Sequence, residues 1–147
     1  MRYADKSKIA QYVYSGFQRC LYPLQKFQAD NERIMAMILD RDSLRWFRPA
    51  KGQFQLLYRF AGEEREYLPD FVAEVDEVIY MIETKAVDMM TDGEVLLKQE
   101  AGVKYCQHAS VHSAQHGGKR WEYLKIPHNV IAENRTFGHL AQRYGVS

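Results

Sequence analysis

Three residues in the stretch YLPDFVAEVDEVIYMIETK, from Tyr67 to Lys85, have the types and spacing to hydrolyse a phosphodiester: Asp70, Glu83 and Lys85. Two carboxylates offer hard oxygen ligands to a divalent cation, and an ammonium beside them supplies fixed positive charge. Asp70 follows Pro69, whose locked φ and missing N–H suit the margin of a strand. Twelve residues separate Asp70 from Glu83, with Asp76-Glu77 between as a tight turn, so a hairpin folds the two positions back toward one another. Glu83 and Lys85 are two apart and point to the same face of a strand, while Thr84 points the other way and offers its carbonyl oxygen as a further ligand. In the expected chemistry Mg²⁺ on Asp70 and Glu83, with Thr84 assisting, polarises a phosphate oxygen and acidifies water. Lys85 acts either as a base or as an electrostatic stabiliser, and the residues leave both roles open. Glu32 is the supporting carboxylate on an earlier helix, serving a second cation or holding a water; the other reading is a solvated charge favoured in a first helical turn.

Pro-Asp pairs and Glu-x-Lys triplets are common, but Glu83 ends an apolar run, Val78 to Ile82, where a plain surface pair is less expected. The run reads as a strand over Val78–Thr84 buried on both faces. Before it, Phe54 to Phe60 and Tyr67 to Val75 read as strands, with Gly62 to Glu66 a polar turn between them, so three successive strands suggest an antiparallel meander. Residues Ala4 to Cys20 read as helix from the spacing of Ile9, Tyr12, Val13 and Phe17, with Pro23 interrupting it. A second helix starts near Ala29 to Asn31, capped by Asp30 or Asn31, and carries Ile34, Met35, Ile38 and Leu39 as its apolar stripe. Pro49 to Gly52 make a loop. A long helix is predicted over Glu94–Gln115, ended by Gly117-Gly118, then a strand at Trp121–Ile126 and a short helix at Thr136–Tyr144. The strand–helix–strand passage across Lys85 to Trp121 favours a crossover onto the same sheet. The expected class is α/β, a mixed central sheet of about four strands flanked by helices. Its organisation is one domain over residues 1–147: an N-terminal helical segment 1–28, a core 29–127 and a tail 128–147.

Composition is that of an ordinary globular chain, 46% apolar and 27% charged over 147 residues, which sets aside disordered and fibrous classes. No apolar run reaches the ~20 residues of a bilayer span, and MRYADKSKIA has no signal-peptide core, so the expectation is a cytoplasmic protein without membrane contact. Cys20 and Cys106 are expected to be free thiols. A net charge of +1 is low for a domain that grips nucleic acid alone. Basic residues do group, as Arg41, Arg45, Arg48 and Lys51 and as Lys119, Arg120 and Lys125, either as a phosphate-facing edge or as solvated surface. His108, His112 and His116 repeat every four residues; with no acid or cysteine joining them, an exposed edge is favoured over a metal site.

Glu32, Tyr58, Tyr67-Leu68-Pro69-Asp70-Phe71 and Ile82-Glu83-Thr84-Lys85 together resemble the PD-(D/E)XK nuclease superfamily, and within it the C-terminal endonuclease domain of type III restriction enzyme Res subunits. The lysine-bearing helix (Lys98, Lys104) and Trp121-Glu122-Tyr123 extend the resemblance over roughly residues 30–127. It implies a restriction-endonuclease-like α-β-β-β-α-β core and a Mg²⁺-dependent cut in double-stranded DNA, with Mn²⁺ able to substitute. Asp70, Glu83, Lys85 and Glu32 would be the catalytic set, and Lys98 and Lys104 DNA contacts. It also implies a helicase/ATPase motor domain and a modification subunit as partners. The chain departs from such subunits in having no Gly-x-x-x-x-Gly-Lys-Ser/Thr loop, so it is either an excised domain or a stand-alone relative, and ATPase activity is not expected of it. A missing motor also accounts for the near-neutral charge. The competing expectation is a non-catalytic nucleic-acid-binding or docking module that keeps a nuclease-like fold.

Overall fold

The apolar run at Val78 forms the middle of the molecule. A computed structural model describes Ile9, residues 12–22 and residues 24–147. In chain order the elements are α1 (Asp30–Asp42), β1 (Arg45–Phe47), β2 (Leu57–Phe60), β3 (Glu63–Glu66), β4 (Phe71–Glu74), β5 (Val78–Lys85), α2 (Gly93–Gln115), β6 (Arg120–Pro127), α3 (Phe137–Tyr144) and β7 (Gly145–Val146), with short 3₁₀ turns at Val87–Met89 and His128–Val130. Five strands make one mixed sheet in the order β1-β4-β5-β6-β7. Pairing is antiparallel at β1–β4, β4–β5 and β6–β7 and parallel at β5–β6. The fold is therefore α/β with a mixed sheet flanked by helices, as expected, and the passage through α2 returns the chain parallel to β5.

Alternation along the strands divides the core between two faces. On one face Phe71, Ala73, Ile82, Leu124 and Ile126 pack against Met35, Ile38 and Leu39 of α1 and against Phe137 and Leu140 of α3. On the other, Met81 and Tyr123 meet Cys106 of α2 together with Leu56, Tyr58 and Tyr67. Because β5 and β6 are covered on both sides, their inner residues are nearly all buried. Burial of the Cys106 thiol pushes its pKa up to about 12, and Cys20 and Cys106 are both free.

Several expectations are corrected. The strand read at Phe54 to Phe60 does not join the sheet, so there is no three-strand meander: β2 pairs with β3 in a separate hairpin, through the very segment read as a polar turn. Ala61 and Gly62 both have positive φ (52° and 78°), as a two-residue hairpin loop requires, and this closes the hairpin before the chain can reach the sheet. The vacated edge beside β4 is taken by β1, whose Trp46 is fully buried. Residues 12–20 of the first predicted helix are not helical. Tyr14 forms a backbone bridge with Gln25 (2.8 and 2.9 Å) and Gly16 has φ +90°, which a helix cannot hold. Residues 4–8, 10 and 11 of that prediction, and Pro23, lie outside the described residues. Nor do Asp30 or Asn31 cap α1. Its N-cap is Ala29, and Glu32 reaches back from inside the helix to accept from the N–H groups of Ala29 and of Gln28 before it. Asp92 caps α2 by accepting from the N–H groups of Glu94 and Val95, and Gly117 (φ +70°) follows its end as expected.

The close approach of α2 to β6 depends on one missing side chain. A Cβ on Gly102 would lie 2.4 Å from Cε2 of Tyr123, whose ring is buried. Gly102→Ala is accordingly expected to cost about 1–3 kcal/mol despite the better helix propensity of alanine, because either the ring or the helix must shift. Urea unfolding of the two proteins measures this.

Candidate active site

The β4–β5 register ends at Phe71↔Ile82, and one further step brings Asp70 level with Glu83. Asp70 is held there from the strand end: its Oδ2 accepts from the Thr84 N–H at 2.8 Å and from the Thr84 hydroxyl at 2.9 Å. Thr84 thus serves Asp70 through its amide and hydroxyl. Glu83 is 5% exposed, and its Oε1 is buried with no hydrogen-bond partner. Desolvation raises the Glu83 pKa well above the carboxylate range; the adjacent Asp70 carboxylate and a hydrogen bond with it raise it further, while Lys85 and Lys98 pull the other way. Two carboxylates this close cannot both be charged in a dry site unless a positive group joins them. An orphaned carboxylate oxygen in that position would suit a divalent cation in place of a shared proton.

Lys85 stands at the end of β5, half-buried, and its ammonium is within electrostatic reach of Glu83. Lys98 reaches the same carboxylate from the first turns of α2, with its Nζ 5.9 Å from the centre of the Tyr58 ring. Tyr58 in turn donates to Glu94 at 2.6 Å, and Arg65 of β3 donates to the same Glu94 oxygen at 2.8 Å, so the hairpin is tied to the helix start that carries Lys98. Below the carboxylates the hydroxyls of Tyr67 and Tyr123 meet at 2.8 Å; burial first, and then the charge of Glu83, holds both phenols protonated.

One predicted residue is placed otherwise. Glu32 does not face the pair with a free carboxylate: Oε1 accepts from the N–H groups of Gln28 and Ala29 (2.8 and 3.1 Å), and Oε2 pairs with Arg48 at 2.6 Å. A carboxylate so occupied has little left for a cation. It is linked to the site indirectly, because the same Arg48 donates to the Asp70 carbonyl (3.3 Å) and the Lys26 carbonyl (2.8 Å), with its guanidinium against the rings of Phe27 and Phe71. Lys104, expected as a DNA contact, is exposed on α2 and pairs with the exposed Glu100 one turn away. His108, His112 and His116 lie on the exposed side of α2, the last two with rings 4.5 Å apart.

Most of the basic residues that grouped in sequence are spoken for. Arg41 pairs with Asp42, Arg45 and Lys119 with Glu74, Arg48 with Glu32 and Arg120 with Glu122. They do not form a free phosphate-facing edge. Sequence reasoning treated Lys125 as part of that edge, but it is 7% exposed and lies opposite Glu83 in the parallel β5–β6 register. Its Nζ donates to the Met90 carbonyl at 2.6 Å. Burial lowers its pKa, and the charge of Glu83 opposes that shift. The signal was present in the alternation of β6, which puts Tyr123 and Lys125 on one face.

No known family, curated protein or solved structure matches the chain. The chemistry of the site therefore rests on its own geometry. Among the described residues no group of three or more His, Cys, Asp and Glu side chains is arranged to hold a metal. Asp70 and Glu83 alone would supply the carboxylates. That suits Mg²⁺, which binds through one or two carboxylates and keeps several waters and substrate oxygens.

The raised pKa of Glu83 has a definite sign in stability. Above the ordinary carboxylate range the folded chain holds a proton that the unfolded chain has lost, so stability falls as pH rises toward the folded value. Glu83→Gln mimics the protonated form without that cost. In metal-free buffer it is expected to be more stable than the wild type by roughly 1–3 kcal/mol at pH 8, with the gap closing toward pH 5. Denaturant titrations at the two pH values check it; a gap independent of pH contradicts it.

Proposed function

We propose that the chain is a metal-dependent endonuclease domain that hydrolyses DNA phosphodiester bonds, with Asp70 and Glu83 holding Mg²⁺, or Mn²⁺ in its place. The observation that carries this reading is the pair itself: a carboxylate clamped by Thr84 beside a buried glutamate whose Oε1 lacks a partner, with two lysines in reach. When bound, the cation supplies Lewis-acid polarisation of a phosphate oxygen and acidifies water.

The remaining work falls to the chain's side chains. Thr84 fixes the Asp70 carboxylate, and Arg48 holds the Asp70 carbonyl against α1. Lys85 and Lys98 place positive charge where the phosphate gathers negative charge during attack, which preorganised groups do without reorganisation. In the net step water forms a bond to phosphorus, the bond from phosphorus to one deoxyribose oxygen breaks, and the proton lost by water is balanced by one gained at the leaving oxygen. Lys85, at the end of the strand that carries Glu83, is the side chain we assign to that exchange.

The family resemblance supports the same reading and extends it to the cleavage domain of a type III restriction enzyme Res subunit, acting in cells' cytoplasm on double-stranded DNA beside a helicase/ATPase motor and a modification subunit. A second reading is a nucleic-acid-binding or docking module without catalysis; its docking form is favoured by one observation, the engagement of Arg41, Arg45, Arg48, Lys119 and Arg120 in internal ion pairs, which leaves fewer cations for phosphates.

Nicking of supercoiled plasmid separates them. The expected outcome is cutting that requires Mg²⁺ or Mn²⁺ and falls by about 10²–10³-fold or more in Asp70→Ala and in Lys85→Ala, with circular dichroism unchanged. Metal-independent cutting, or full activity in either variant, rejects this site. Binding of DNA without cutting, with or without a motor domain added, favours a non-catalytic nucleic-acid-binding module.

A further inference from the structure

Lysine is among the residues least often buried, yet β6 carries one that is 7% exposed, opposite Glu83 on β5. The register fixes it there: Glu83↔Lys125 are partners on adjacent parallel strands, so both side chains leave the sheet on the α2 face. The ammonium does not close on the Glu83 carboxylate, whose Oε1 stays without a partner; it is drawn to the Met90 carbonyl, in the connection between β5 and α2. That connection carries the chain from Lys85 to Asp92, the cap of α2, and on to Lys98. Lys125 thus ties together the backbone leading to both lysines that face Glu83.

Two-cation phosphodiesterases hold their ions about 3.5–4 Å apart. Such a pair needs more anionic ligands than one cation does, and here the described residues offer two carboxylates with a buried positive group beside them. Taking the cation from the nuclease reading above, we propose that Lys125 is the resident countercharge of the site: its ammonium, fixed by the Met90 carbonyl beside Glu83, limits the Asp70–Glu83 pair to one divalent cation and weakens the hold on that cation. Lys125 is a positioning residue in this scheme, not one that touches the substrate.

The two roles separate in a binding measurement. Removing a like charge near the carboxylates tightens a cation, whereas loosening a ligand loop weakens it. Isothermal titration of the 147-residue chain with Mn²⁺, in the absence of nucleic acid, is expected to give one ion per chain, and Lys125→Met is expected to bind it roughly 3- to 10-fold more tightly. Lys125→Gln, which retains a donor for Met90 and drops the charge, serves the same test if the methionine variant does not fold. One ion per chain with tighter binding in a neutral variant supports the proposal. Two ions in the wild type, or unchanged or weaker binding in both neutral variants, overturns it while leaving the nuclease reading in place. A wild type that takes up no Mn²⁺, giving the same trace as Asp70→Ala, overturns both.

Discussion

Two carboxylates pressed together at a desolvated strand end set the terms for everything around them. Charge in a dry site is costly, and like charge more so, which leaves a shared proton or a bound cation as the states that satisfy the pair. The surrounding structure keeps the pair from relaxing. Thr84 holds Asp70 through two hydrogen bonds, and β5 lies between β4 and β6 with both flanks paired, so Glu83 cannot swing out to water. The lysines come from three different elements, β5, α2 and β6, so that the charge balance at Glu83 depends on the whole sheet–helix arrangement rather than on any single loop.

The two faces of the sheet divide the labour. The α1–α3 face is filled by aliphatic and aromatic side chains, and there burial alone does most of the work. The α2 face is narrower in chemistry, built largely from tyrosines whose hydroxyls need partners, and it is the face on which Glu83 and Lys125 emerge. Arg48 spans the divide: it collects the α1 N-terminus through Glu32 and the Asp70 backbone in one guanidinium, against the rings of Phe27 and Phe71. Its five donors in a fixed fork suit a junction of this kind better than a lysine would.

Much of this was legible in the residues. The apolar run before Glu83, the glycines that end α2 and the alternation of β6 carry strong local signals, and the elements there start and stop within a residue or so of expectation. What was not legible came from choices between partners. Phe54 to Phe60 has the texture of a strand and is one over part of its length, but texture does not say which strand it joins; the two positive-φ residues at its end decided that. Trp46 hides between Arg45 and Phe47 in a three-residue strand too short to show alternation. Glu32 has the right type for a ligand, and only the nearby amides and Arg48 reveal that its oxygens are already engaged. Lys125 looked like one more surface lysine because sequence does not state the register between β5 and β6.

The edges of the sheet have a consequence of their own. On one side β1 is three residues long, and its outward groups are met by the preceding chain: Trp46 donates to the Arg19 carbonyl and its own carbonyl accepts from Leu21. On the other, β7 offers two residues. A flat, open margin is a template on which a second molecule can add a strand, and both margins here are either short or occupied. The margins of the five-stranded sheet therefore leave little open backbone for a second molecule to pair with.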